Sequence, residues 1–198
     1  MLYKNSYTDL RFLNTTAYLA APALLGSLLV RTLNNEVLIG RIVEVEAYDE
    51  ADAASHSFAG RTVRNSATFE AYGIAYVYFT YGMHYCMNVV CGEEGHGAAI
   101  LIRAVEPLQG LNTMLTNRHT PAIAQLTNGP AKLCQAFQVD LKLNKHDLTK
   151  PPLMLQPGSL NDSERILQTK RIGISKNTDK LWRFYLSDNG FVSGLKNA

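Results

Sequence analysis

The chain has 198 residues, 46% hydrophobic and 18% charged, a composition that suits one globular domain with a buried core and excludes disordered, collagen-like and coiled-coil chains. Nineteen Lys and Arg against seventeen Asp and Glu leave a formal charge of +2, so charge alone does not point to nucleic acid, and any basic surface must come from clustering. Three cysteines, Cys86, Cys91 and Cys134, with no CxxC pair argue against a disulfide scaffold and a structural zinc site, and are read as thiols of a reducing cytoplasm.

The first predicted element is a short helix. Thr16 is its N-cap, Tyr18, Leu19, Leu24 and Leu25 form an apolar stripe, and Gly26 stops it. Pro22 inside it predicts a kink or a helix in two pieces. The apolar run 17–30 is broken by Pro22, Gly26 and Ser27 and is too short to span a bilayer, so no membrane association is expected. Strands over 27–33 and 37–48 follow, joined at the Asn34-Asn35 turn as a hairpin. The polar stretch 49–68 is long for a structureless connection and is suspect as a functional loop.

A second hairpin reads AYVYFT (75–80), a tight turn at Tyr81-Gly82-Met83, then HYCMNVVC (84–91). Residues 98–107 read as a buried strand, a helix starts after Gly129-Pro130, and WRFYL (182–186) is a final strand. Hairpins with segregated helices make the fold class α+β: a curved, mostly antiparallel sheet with flanking helices and a protruding hairpin, one domain over 1–198.

Several residues could carry chemistry. Alternation along 37–48 puts Glu44, Glu46 and Tyr48 on one face and Val43, Val45 and Ala47 on the other. A solvated polar face is the plain reading, but Glu46 lies near the strand end and opens onto the polar loop, where site residues gather on rigid elements. Five of the ten tyrosines fall between residues 72 and 85: Tyr72, Tyr76, Tyr78, Tyr81 and Tyr85. Packing explains Tyr76 or Tyr85 well enough, whereas a large ring at the hairpin tip, Tyr81, has little core to enter and is a candidate wedge for a stack of bases. Arg103 interrupts an apolar strand and needs an anionic or polar partner, a structural ion pair being the alternative to a catalytic role. Asn88 interrupts 84–91 in the same way. His56 is the only histidine in the suspect loop, and a lone histidine is often structural.

A glutamate, stacking aromatics and an arginine can flip out a base, hold it and direct water at its glycosidic bond. The zinc deaminases of flipped bases need H-x-E and P-C-x-x-C, which are missing, as are P-loop and dinucleotide fingerprints, so no cofactor is expected.

Taken in order, LLGSLLV (24–30), GRIVEVEAYDEADAASHSFAGRTVRN (40–65), YVYFTYGMHYCMNVV (76–90), AILIRAVEP (99–107) and GPAKLCQAF (129–137) resemble the alkyladenine (3-methyladenine) DNA glycosylase family. The segment 150–170 has no matching string, and the start of the chain so near the domain favours a bacterial-type form. The resemblance implies a monofunctional hydrolase of base excision repair. It would release alkylated or deaminated purines (3-methyladenine, 7-methylguanine, hypoxanthine as a further case) from double-stranded DNA, as a monomer in the nucleoid-associated cytoplasm, and leave an abasic site. It makes Glu46 the water-activating carboxylate and Arg103 the arginine beside the catalytic water. Tyr48, His56 and Tyr78 would hold the flipped base, Tyr76 would support His56, Tyr81 would intercalate, and Asn88 would crowd the exocyclic amine of normal guanine. A non-catalytic module that recognises damaged bases, or a bifunctional glycosylase/lyase with a reactive lysine, are the other readings.

Overall fold

The structure, a computed structural model, describes residues 9–194. Eight strands are paired antiparallel throughout: β1 (Leu28–Leu33), β2 (Glu36–Asp49), β3 (Ala75–Thr80), β4 (His84–Val90), β5 (Ala98–Gln109), β6 (Leu153–Gln156), β7 (Ile166–Thr169) and β8 (Arg183–Leu186). The sheet runs β3-β4-β5-β2-β1-β6 and curls, with β8 pairing both β2 and β7. Three α-helices flank it: α1 (Ala17–Leu24) lies against β2 and β5, α3 (Pro130–Ala136) against β4 and β5, and α2 (Leu111–Arg118) against α3. The α+β class expected from the hairpins holds.

Local chemistry explains most of the frame. Asn34 and Asn35 both adopt left-handed backbone (φ 48° and 67°), the geometry of a two-residue hairpin turn. In α1 the buried face is Ala17, Ala20, Ala21 and Leu24, while Tyr18 and Leu19 of the expected stripe are exposed. Alanines let the helix axis approach the sheet closely, which a Tyr–Leu face would prevent. Pro22 does not divide the helix. It sits in the last turn, where its missing N–H takes one i→i−4 bond from the Tyr18 carbonyl, and the helix stops two residues later.

Strand β2 is the centre of the molecule. Its first half pairs with β1 and its second with β8, while β5 runs along its other edge. Both its edges are paired and both its faces are covered, for Glu44 and Glu46 are as buried as Val43 and Val45. The solvated face that alternation suggested does not exist. The β2/β5 register also slips twice around Glu44: Ala104 pairs with Glu44 and Ile102 with Val45, leaving Arg103 without a partner in the ladder. Such an irregularity re-aims a side chain, and here it sends Arg103 toward the two glutamates.

Strand β3 is an edge strand, and the β3–β4 hairpin ends in a tip where Tyr81 (φ 51°) and Gly82 (φ 67°) are both left-handed. Left-handed backbone is unusual for a residue as bulky as tyrosine.

Candidate active site

Glu46 collects two hydrogen bonds and an ion pair. Its Oε1 accepts the Ile172 backbone N–H at 2.7 Å and lies 3.3 Å from Arg103 Nη1, and its Oε2 accepts the Tyr48 hydroxyl at 2.8 Å. Ile172 and Tyr48 donate hydrogen bonds, one to each oxygen, and Arg103 adds an ion pair, so both oxygens act as acceptors, the pattern a carboxylate offers. The Glu46 side chain has no exposure, which corrects the expectation that it opens directly onto the polar loop. It lies behind Tyr48, Arg103 and Ile172, which line the cleft. Burial, then the adjacent Glu46 charge, hold the Tyr48 phenol well above its ordinary range, so it remains a donor.

Arg103 is clamped from behind. Its Nε donates to Glu44 Oε1 at 2.9 Å and its Nη2 to Ser193 Oγ at 3.2 Å. Glu44 Oε1 also accepts Arg183 Nε at 2.7 Å and Ser193 Oγ at 2.8 Å, and its Oε2 accepts the Ser193 N–H at 2.6 Å. Burial works against the Arg103 charge, but Glu46 and Glu44 outweigh it and raise its affinity for the proton. Two carboxylates and two guanidiniums thus neutralise one another in the interior. Arg103 is both the structural ion pair and a cleft-lining residue.

The cleft itself has a volume of about 550 Å³ and is lined by Tyr48, His56, Tyr76, Tyr78, Tyr81, Asn88 and Arg103 among others. Every site residue read from the sequence except Glu46 lines it. His56 Nδ1 is 2.9 Å from the Tyr76 hydroxyl, and its ring meets Tyr78 edge-on with centroids 4.6 Å apart. Burial, helped by the nearby Arg64 charge, depresses the His56 pKa, so the ring is neutral at pH 7. Burial pushes the Tyr76 phenol up to about 12 and raises Tyr78 further. The Asn88 side-chain amide donates to the Tyr76 carbonyl at 3.0 Å, which fixes its orientation.

Residues outside the sequence reading hold this wall in place. Asn65 is buried and ties the suspect loop together: its Nδ2 donates to the carbonyls of His56 and Gly60, and its Oδ1 accepts the Thr62 N–H. Gly97 lets the β4–β5 turn press on the loop, since a Cβ there would lie 2.7 Å from Ser57 and the Phe69 ring. Residues 172–176, after β7, close the far side of the cleft and supply the Ile172 amide.

His96 in the same turn bonds Asp49 Oδ2 through Nε2 at 2.8 Å and faces Glu50 Oε1 at 3.2 Å. The Asp49 hydrogen bond outweighs partial burial and raises its pKa. The folded state therefore holds the proton more tightly than the unfolded chain. This contribution to stability is full below about pH 6.5 and is lost as pH rises through the higher folded value. His96→Gln is expected to flatten that part of the pH–stability profile. Urea midpoints of parent and variant that change in parallel across the range would contradict it.

Among the described residues no group of three or more His, Cys, Asp and Glu side chains is placed to hold a metal ion, and no helix is long and apolar enough to cross a membrane. The sequence pattern of the family described as Methylpurine-DNA glycosylase (MPG) matches residues 11–190. The chain belongs to this family. A Francisella tularensis relative is 50% identical over 177 residues, which cover 88% of this chain and 92% of the relative. A Carboxydothermus hydrogenoformans relative is 48% identical over 176 residues with the same coverage. One from Natranaerobius thermophilus is 43% identical over 193 residues, 93% of this chain and 98% of its own. All three carry the name "Putative 3-methyladenine DNA glycosylase". Membership makes the chain a DNA glycosylase, a hydrolase of the N-glycosidic bond.

Proposed function

We propose that the chain flips a damaged purine, 3-methyladenine in the first place, out of duplex DNA into this cleft and hydrolyses its glycosidic bond with Glu46 as general base. The observation that carries the proposal is the buried Glu46–Tyr48–Arg103 constellation behind an aromatic cleft. Of the four acceptor positions of the carboxylate, Ile172 occupies one on Oε1, which Arg103 also faces as an ion pair, and Tyr48 one on Oε2. The remaining position on Oε2 accepts the attacking water. The C1′–N9 bond breaks with its electron pair passing to the purine, water adds at C1′, and its proton goes to Glu46. Methylation gives the purine a positive charge that weakens this bond and favours aromatic faces by about 1–2 kcal/mol. Neutral His56 does not oppose that charge. Extension of the substrate range to 7-methylguanine and hypoxanthine belongs to the same proposal.

Several exposed side chains of the hairpin tip and of the loop 49–68 suit a duplex. Tyr81 lines the cleft and is 83% exposed, Met83 beside it on the hairpin tip is exposed, and Phe58 and Val63 are exposed in the loop 49–68, which also carries Arg61 and Arg64. We read Tyr81 as the ring that fills the gap left by the flipped nucleotide, recovering part of the few kcal/mol that extrusion costs. Tyr81→Ala is then expected to weaken binding to lesion duplex and slow release, more for a well-paired lesion than for a mismatched one, with little change in melting temperature. Equal losses on both, or a large fall in melting temperature, would make Tyr81 a packing residue.

Asn88 is proposed to reject guanine by crowding its exocyclic amine, because stacking alone accepts any purine. Asn88→Ala is expected to raise release of unmodified guanine relative to the parent, and unchanged release of normal purines would count against the assignment.

The function is tested by incubating the protein with methylated duplex DNA and scoring free base and strand scission separately. Free 3-methyladenine without scission is the expected result. Scission before alkali treatment would indicate a lyase, and binding without release would indicate a recognition module.

A further inference from the structure

Against the Tyr48 ring, and outside the residues that line the cleft, lies a charge cluster with no part in this scheme. The Arg171 side chain has no exposure; its Nη1 donates to the Ala47 carbonyl at 2.9 Å and pairs with the equally buried Asp52. Its guanidinium carbon stands 4.6 Å from the centroid of the Tyr48 ring and 5.3 Å from that of Trp182. Nε and Nη2 are buried without a hydrogen-bond partner among the described residues. A guanidinium that leaves two N–H edges unpaired in the interior is costly, and the ring faces of Tyr48 and Trp182 are what it meets instead. Lys180 adds a second cation, 4.1 Å from the Trp182 centroid and 3.9 Å from Asp52. Burial disfavours ionised Asp52, but the Arg171 and Asn177 hydrogen bonds outweigh it and hold its pKa down. Two cations against one anion leave the cluster with one net positive charge, and Arg171 is its member in contact with Tyr48.

We propose that Arg171 is a positioning and electrostatic residue that acts through Tyr48 to favour departure of the base. When the C1′–N9 bond breaks, the electron pair moves onto the purine: a cationic methylpurine leaves neutral, and a neutral purine leaves with a negative charge. In both cases the base becomes one unit more negative. A fixed positive charge against the ring on which the base stacks therefore stabilises the transition state relative to the bound ground state, which is the interaction that accelerates a reaction. It also disfavours the cationic base before cleavage, so it does not tighten substrate binding. This inference rests on the reading of Tyr48 as a stacking surface for the base.

The test is single-turnover release of 3-methyladenine from methylated duplex DNA over a range of enzyme concentrations, which separates maximal rate from half-saturation. For Arg171→Gln the maximal rate is expected to fall about tenfold with half-saturation unchanged or lower. Arg171→Lys, which keeps the charge, is expected to stay within about threefold of the parent. Should Arg171→Gln fail to fold, Lys180→Gln removes one positive charge from the same cluster at a partly exposed position, and a smaller fall of the maximal rate in the same direction is expected. A parental maximal rate in Arg171→Gln would overturn the proposal, as would equal damage in Arg171→Lys with half-saturation rising in step. Tyr48→Leu distinguishes the two levels. If it releases base at the parental rate, the stacking reading fails; if it is impaired while Arg171→Gln is not, only the role of Arg171 fails.

Discussion

Glu46→Gln is expected to slow base release from methylated duplex DNA by about 10²- to 10⁴-fold, the range over which a positioned general base contributes. Binding to lesion duplex should survive. The amide oxygen can keep the Ile172 N–H and the Arg103 contact, and the amide nitrogen can donate to the Tyr48 oxygen, which then accepts instead of donating. The shape of the buried constellation is thereby preserved while the proton acceptor is lost. Single-turnover rates alongside a melting curve and a Kd for lesion duplex decide the matter. A rate near that of the parent, in a folded variant that binds, would remove Glu46 from the water-activating role.

The second large effect concerns stability. Glu44→Ala withdraws the one acceptor shared by Arg103, Arg183 and Ser193, all buried. Removing one partner of a buried ionic cluster costs about 3–5 kcal/mol, because the opposite charge stays behind uncompensated. Against a total stability of about 5–15 kcal/mol that is enough to bring many domains near unfolding at ordinary temperature. Urea unfolding measures it through the shift in midpoint at constant slope. Arg103 also loses its anchor, so base release should fall even under conditions where Glu44→Ala remains folded. A loss of stability below about 1 kcal/mol, the ordinary effect of a surface change, would mean that the cluster is not a structural centre.

The sequence disclosed those parts of the site that local chemistry determines. A two-asparagine turn, the β3–β4 hairpin and the placing of Tyr76 and Tyr78 on one strand face follow from turn preferences and period-two alternation, and Tyr81 sits at the tip because the chain must reverse there. Arg103 was visible as a charge in an apolar strand. What alternation does not disclose is what covers a face. Glu44 and Glu46 read as solvated because their cover comes from β8, Ser193 and Ile172, more than 120 residues further along the chain. The strands β6 and β7 lie in the segment 150–170 and are four residues each, too short for their alternation to announce them. Arg171 gave no signal at all: one arginine in a basic tail segment looks like any surface charge until the fold places it against Tyr48.

The most direct measurement is a crystal structure of the Glu46→Gln variant bound to duplex DNA carrying one methylated purine. The expected density shows that purine out of the helix, inside the cleft against the Tyr48 ring and near His56 and Tyr78, with the Tyr81 ring in the vacated step. A methylated purine still paired and stacked within the duplex, with the cleft turned away from the DNA, would contradict the flipped-base reading.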